Sequence, residues 1–176
     1  YVVYGDGTLN IQHTIKPQGT MPAWLPRIGV TFGLDGAFSN VEWYGRGPQA
    51  NYPDRKSGYR LGIWTSTVED MYEPYLIPQD YGLRTDNRWV RMTDSDGKGV
   101  ELSVDHLFNF NAYPYTTDNL TKSVYQYQLQ KTEDITFNLD YATSGVGCTA
   151  RAIYPAYKVY PMPYKRTIRI NLHGSK

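Results

Sequence analysis

The chain has 176 residues, and 18 Lys and Arg against 17 Asp and Glu leave a formal net charge of +1. That length suits one domain with a sizeable core, and so even a balance, without a run of like charges, argues against nucleic acid or anionic membrane as partners. No apolar run is long enough to cross a bilayer as a helix, no signal peptide stands at Tyr1, and the lone Cys148 makes no intrachain disulfide, which leaves the redox compartment open.

In chain order the sequence reads as strands. Thr8 to Ile15 alternates, with Leu9, Ile11, His13 and Ile15 on one face, and Tyr1 to Tyr4 is placed to pair with it across Gly5-Asp6-Gly7. Arg27 to Leu34 alternates again through Ile28, Val30, Phe32 and Leu34. Val41 to Tyr44 suits a short strand. Tyr59 to Thr65, Val68 to Tyr75 and Arg88 to Thr93 follow as strands, and Asp94 to Gly99 is a turn by composition. Val100 to Phe110 has strand character at both ends. Thr117 to Ser123 suits one helical turn capped by Thr116 or Thr117. Val124 to Gln130, Ile135 to Tyr141 and Tyr164 to Leu172 are the last strands. Some eight to eleven strands at roughly ten-residue spacing, without sustained helical periodicity, predict an all-β antiparallel sandwich.

The stretch from Val41 to Arg55 organises the rest. After Tyr44 it reads Gly45-Arg46-Gly47-Pro48-Gln49-Ala50-Asn51-Tyr52-Pro53-Asp54-Arg55. Two glycines and two prolines predict an irregular loop from Gly45 onward. A rigid loop dense in aromatic and hydrogen-bonding groups is a structural clamp or a binding surface. The structural set is Trp43, Gly45, Gly47, Pro48, Tyr52, Asp54 and Arg55, with Asp54 and Arg55 holding the loop by charge-assisted hydrogen bonds.

This Trp-x-Gly-x-Gly-Pro-x-x-x-Tyr-x-Asp-Arg run resembles the C-terminal small-chain domain of glycoside hydrolase family 2 β-galactosidases. Leu25-Pro-Arg-Ile-Gly29, Met71-Tyr-x-Pro-Tyr75, Pro78-Gln-Asp-Tyr-Gly82, Arg84-Thr-Asp-x-Arg-Trp89, Asn138-Leu-Asp-Tyr141 and Gly145-Val-Gly147 extend the resemblance over most of the chain. Ala50 stands where the family usually has Glu, and Tyr125 where it often has His. The resemblance implies a two-sheet supersandwich similar to galactose mutarotase, here without its N-terminal strands and so with sheet edges that the whole protein would cover. It also implies a single domain, residues 1–176, of a longer multidomain bacterial enzyme, cytoplasmic or periplasmic, whose catalytic barrel carries the two glutamates and whose further expected partner is a second copy in a homo-oligomer. A start at Tyr1 without an initiator Met agrees with an excised piece.

No catalytic residue is assigned to the chain itself. Glu69 with Asp70 and Glu133 with Asp134 are adjacent, so on a strand they face opposite ways, and Asp94 with Asp96 sits in a solvated turn. An epimerase would need a general acid and base; of His13, His106 and His173 only His106, beside Asp105, fits such a role. No ligand spacing for a metal appears and no cofactor is expected. Asn119-Leu-Thr121 is a glycosylation acceptor only in a eukaryotic secretory protein.

The substrate-binding candidates are Arg84, Asp86, Arg88 and Trp89, a charged platform beside an aromatic plate, set against the plainer reading of an Arg–Asp network fixing a loop. In some relatives the loop after Gly145-Val-Gly147 carries a Trp that reaches the active site; Arg151 or Tyr154 takes that place here. The partners expected are a β-galactoside or other carbohydrate and the barrel of the same polypeptide. The alternatives are a free-standing carbohydrate-binding module, a mutarotase-like epimerase and a purely structural interface domain.

Overall fold

The computed structural model describes residues 1–148 and 152–174. Among these residues nine strands form: β1 (Val2–Val3), β2 (Leu9–Ile15), β3 (Arg27–Leu34), β4 (Asn40–Gly47), β5 (Arg60–Thr67), β6 (Arg84–Thr93), β7 (Gly99–Tyr113), β8 (Ile135–Thr143) and β9 (Tyr164–His173). All pairings are antiparallel. The fold is all-β, as the alternating apolar positions predict.

The strand order β1-β2-β9-β7-β6-β4-β5 has a branch, β8-β3, that also starts from β7. The cause is the length of β7, which runs for 15 residues. One edge pairs with β6; the other pairs first with β9 through Gly99 to Val104, then with β8 through Asn109 to Tyr113. Between these stretches Asp105, His106 and Leu107 are exposed. The two layers of the sandwich are thus arms of one connected sheet, forking where β7 changes partner. Both arms feed one core that includes Trp43, Val90, Phe110, Phe137, Leu139 and Ile168. Phe137 stacks between Phe32 and Phe110 at 5.7 Å to each, and Trp43 meets Phe110 edge-on at 6.0 Å. Each such side chain contributes about 1.5–3 kcal/mol by leaving water.

Three expectations need correcting. First, β4 does not end at Tyr44: Gly45, Arg46 and Gly47 pair with Gly62, Leu61 and Arg60. Neither glycine has a positive φ. They are needed for clearance, because a Cβ on Gly45 would collide with the Asn87 side chain and one on Gly47 with the Trp64 ring. Second, residues 68–75 are not a strand. The Thr67 hydroxyl accepts from Asp70 N (3.1 Å) and donates to its carboxylate (2.8 Å), turning the chain at once, so the buried Val68 and Met71 follow turn spacing. Third, residues 124–130 form a 3₁₀ turn at Gln126–Gln128. The Gln128 Oε1 accepts from Val124 N (2.8 Å) and Tyr125 N (2.9 Å), offering the backbone a local alternative to a ladder.

The smaller readings hold. Val2 and Val3 pair with Asn10 and Leu9 across the Gly5-Asp6-Gly7 turn. The only described α-helix, α1 (Thr117–Lys122), is capped by Thr116, whose hydroxyl accepts from Asn119 N at 3.0 Å.

Candidate functional site

The segment after β4 is locked at its base from two sides. Inside, Asn51 is fully buried. Its Nδ2 donates to the carbonyls of Arg46 (3.3 Å) and Gln49 (3.0 Å), and its Oδ1 accepts from Thr85 N (3.1 Å) and Oγ1 (2.5 Å). Outside, the Asp86 carboxylate takes Arg46 Nε at 2.5 Å and Lys56 Nζ at 2.9 Å, so one acid holds both ends of the loop. Asp86 sits at φ 58°, the left-handed region that few residues other than glycine enter, at an irregular step in the β6–β7 register. Burial works against its charge, but the hydrogen bonds from Arg46 and Lys56 outweigh it and hold the carboxyl below its ordinary range.

At its tip the loop reaches a second loop. Asp54 accepts from Val146 N (3.1 Å) and Gly147 N (2.7 Å), and a Cβ on Gly145 would strike this carboxylate. Gly147 lies at φ 63°. Arg55 plays a different part: its guanidinium lies over the Tyr52 ring, 5.3 Å from the centroid, and its backbone bridges to Tyr52. Asp54 therefore carries the charge-assisted bonds, while Arg55 covers an aromatic face.

Beneath these two loops opens a cavity of about 750 Å³. Trp24, Tyr52 and Tyr75 supply aromatic walls, Arg55, Gln79 and Asp80 polar groups, and Gly145 to Gly147 one rim. Arg27 is also in the wall and heads a buried polar network. Its Nε donates to both oxygens of Asp140 at 3.0 Å, its Nη2 to Asp140 Oδ2 at 2.5 Å and its Nη1 to Asp80 Oδ1 at 3.3 Å. Asn111 donates to Asp80 (2.9 Å) and the Tyr81 carbonyl (2.8 Å), and accepts from Asn138 (2.9 Å). Burial pushes Asp140 up to about 6, with Arg27 pulling the other way. Burial also opposes the charge on Arg27, but Asp140 beside it prevails and keeps it protonated more firmly than usual. Tyr52 is raised above its ordinary range by burial and by neighbouring Tyr75.

The charged platform does not assemble as expected. Arg84 is only 4% exposed, lies over the Trp43 ring at 5.3 Å and donates to the Gly82 carbonyl at 2.8 Å; burial lowers it to about 10. It is a core residue, because β6 turns it inward. Asp86 is the loop clamp. Arg88 donates to the Asp86 carbonyl at 2.7 Å and lies over Tyr44 at 5.1 Å. Trp89 is covered by Arg91 at 4.4 Å. None of the four lines the cavity. Tyr154 is exposed and borders a smaller hollow of about 360 Å³ beside Asp54 and Gly147; Arg151 lies outside the described residues.

The remaining candidates have local roles. His13 Nδ1 meets the Tyr141 hydroxyl at 2.9 Å, His106 is exposed, and His173 pairs with Gly99 in the sheet. Glu69 pairs with Lys131, Asp94 closes its own turn onto Asp96 N and Lys98 N, and Cys148 is exposed. Sequence reasoning missed Trp24, Arg27, Tyr75, Asp80, Asn111 and Asp140 as neighbours. A signal existed: Leu25–Gly29, Pro78–Gly82 and Asn138–Tyr141 were separate motif segments, and Arg27, Asp80 and Asp140 are where they meet.

Comparison with known proteins places this architecture. The family model for the β-galactosidase small chain matches residues 1–170. The chain belongs to the β-galactosidase small-chain family. It is 37% identical over 147 residues to a β-galactosidase of Priestia megaterium, covering 84% of this chain and 14% of that protein. It is 34% identical over 151 residues to a β-galactosidase of Halalkalibacterium halodurans, covering 84% and 15%. Against a β-galactosidase of Vibrio cholerae it is 29% identical over 178 residues, covering 99% and 17%. The chain thus spans about one-sixth or less of the length of these bacterial relatives. Among the described residues no helix is long and apolar enough to cross a membrane.

Proposed function

We propose that this small-chain domain is a non-catalytic part of a longer retaining β-galactosidase of glycoside hydrolase family 2, active on terminal β-D-galactosides. It buttresses the catalytic barrel of the same polypeptide and lends the loop around Gly145 to Gly147 to the rim of the active site. Its strands are then part of a larger supersandwich, and the enzyme an oligomer. The observation that carries the reading is the carboxylate count of the cavity. Glycoside hydrolysis by the common mechanisms needs two carboxyl groups flanking the scissile bond. Among the described residues Asp80 is the only Asp or Glu that lines the cavity, and Asp140 is 2% exposed behind Arg27. Asp140, whose carboxyl burial raises, does not supply the second group: it does not line the cavity, and Arg27 Nε donates to both its oxygens.

The purified chain should not hydrolyse a chromogenic galactoside; turnover free of host enzyme would overturn the reading. In the full-length enzyme, Tyr154→Ala should raise KM more than it lowers kcat, the pattern of lost uniform binding.

The aromatic walls favour a second reading, a carbohydrate-binding module, since Trp24, Tyr52 and Tyr75 offer faces for sugar CH groups beside polar Gln79 and Asp80. Calorimetric titration of galactose into the chain separates the two: saturable binding by the isolated domain favours the module. An epimerase is disfavoured because no histidine among the described residues lines the cavity.

A further inference from the structure

The cavity continues outward into an apolar lip. Tyr75 and Gln79 line it, and between them Leu76 is 91% and Ile77 60% exposed. A second segment stands beside them, because Gln126 Nε2 donates to the Tyr75 carbonyl at 2.9 Å. It carries Val124, Tyr125 and Tyr127, all exposed, with the two tyrosine rings stacked at 5.5 Å. This second segment is held by its own bonds. Besides the Gln128 bonds to Val124 N and Tyr125 N, Asn119 donates to the Gln128 carbonyl at 3.2 Å and accepts from Gln130 N at 2.9 Å. Residues 75–79 and 124–130 include no Asp, Glu, Lys or Arg, whereas Glu73, Asp80, Lys122 and Lys131 flank them in sequence.

Exposed apolar side chains on two neighbouring segments without a charged residue, flanked in sequence by charged ones, have the composition of an interface core with its rim. Holding its backbone in advance lowers the ordering cost of docking. The exposed Leu61 and Ile63 on β5 lack this setting, as Arg60 adjoins them.

We infer that the lip formed by Leu76, Ile77, Val124, Tyr125 and Tyr127 is the surface on which the catalytic part of the same polypeptide docks, closing the mouth of the Trp24–Tyr75 cavity. This rests on the reading of the chain as one domain of a longer β-galactosidase. The occupant follows from size: the relatives carry more than four-fifths of their length outside the matched region, so the larger part of such a polypeptide is available at fixed high effective concentration.

The test is hydroxyl-radical footprinting of the full-length protein, each rate divided by that of the same residue in denatured protein. Leu76, Ile77, Tyr125 and Tyr127 should be protected several-fold more than Leu61 and Ile63, equally at all protein concentrations. Leu76→Asp combined with Ile77→Asp should restore modification of Tyr125 and Tyr127, and Leu61→Asp should not. Modification of Leu76 and Ile77 as fast as Leu61 and Ile63 overturns the inference. So does protection that grows with protein concentration, because a second copy then covers the lip. Galactoside turnover by the same unmodified preparation is scored separately: protection without turnover leaves the docking surface standing and removes the β-galactosidase reading.

Discussion

Asp140 and Asp86 each hold an arginine, yet their surroundings drive their acid strengths apart. Asp140 lies in the buried network under the cavity, and burial raises it to about 6 even with Arg27 at 2.5 Å. Asp86 is clamped between Arg46 and Lys56 near the surface and titrates below its ordinary value. Each carboxylate meets a guanidinium nitrogen at 2.5 Å, but Asp86 has a second cation in Lys56 and keeps more solvent. A carboxylate that keeps some solvent gains from its cations, while one stripped of solvent depends on them to remain charged. The comparison predicts where substitutions are costly.

The largest effect is expected at Asp140. Asp140→Ala leaves Arg27 with only the longer, more exposed contact to Asp80 at 3.3 Å as an acidic partner, and the denaturant midpoint should fall by an amount equal to about 3 kcal/mol. Replacing both partners, Arg27→Met with Asp140→Leu, should recover much of this loss; an additive double variant would show that the pair is not coupled.

Next comes Asp54. Asp54→Ala removes two bonds to backbone N–H groups and should cost about 1–3 kcal/mol, with amide exchange at Val146 and Gly147 accelerated first. An unchanged midpoint would show the contact to be idle.

Asp86→Asn should cost about 1 kcal/mol, because its partners are partly solvated. The effect should shrink in high salt, unlike that of Asp140→Ala.

The smallest and most specific signature is the pH profile. The folded pKa of Asp140 lies above the ordinary 3.8, at about 6. Its contribution is therefore fully present below 3.8 and is lost as pH rises through about 6. That of Asp86 has the opposite sign, present above the ordinary 3.8 and lost as pH falls through its depressed folded value. Unfolding midpoints measured across pH should thus lose the slope between 3.8 and about 6 in Asp140→Asn, and the acid-side drop in Asp86→Asn. The same slopes in both variants would undo the contrast.

The two regions also differ in how well the sequence disclosed them. Strands β2, β3, β8 and β9 were legible because side-chain direction alternates residue by residue, so a half-buried face leaves a period of two in the chain. The loop holding Asp54 was legible as a rigid loop, and its acid as a hydrogen-bond acceptor. The extension of β4 was not, because Gly45 and Gly47 look like turn residues until Asn87 and Trp64 are seen lying against them. Residues 68–75 and 124–130 misled for a related reason: β-forming side chains there are overruled by local bonds from Thr67 and Gln128.

The sequence by itself determined the all-β class, most strand positions and the small-chain family, since each rests on residue type, motif and local period. Only the tertiary structure decided that β7 forks the sheet, that Arg84 is core rather than platform, and that Trp24, Tyr52 and Tyr75 wall one cavity above Arg27 and Asp80. Those facts depend on contacts between positions far apart in the chain. Arg27 and Asp140, 113 residues apart, become neighbours only when β3 pairs with β8, and burial fixes the protonation of Asp140 only once that pairing has excluded water.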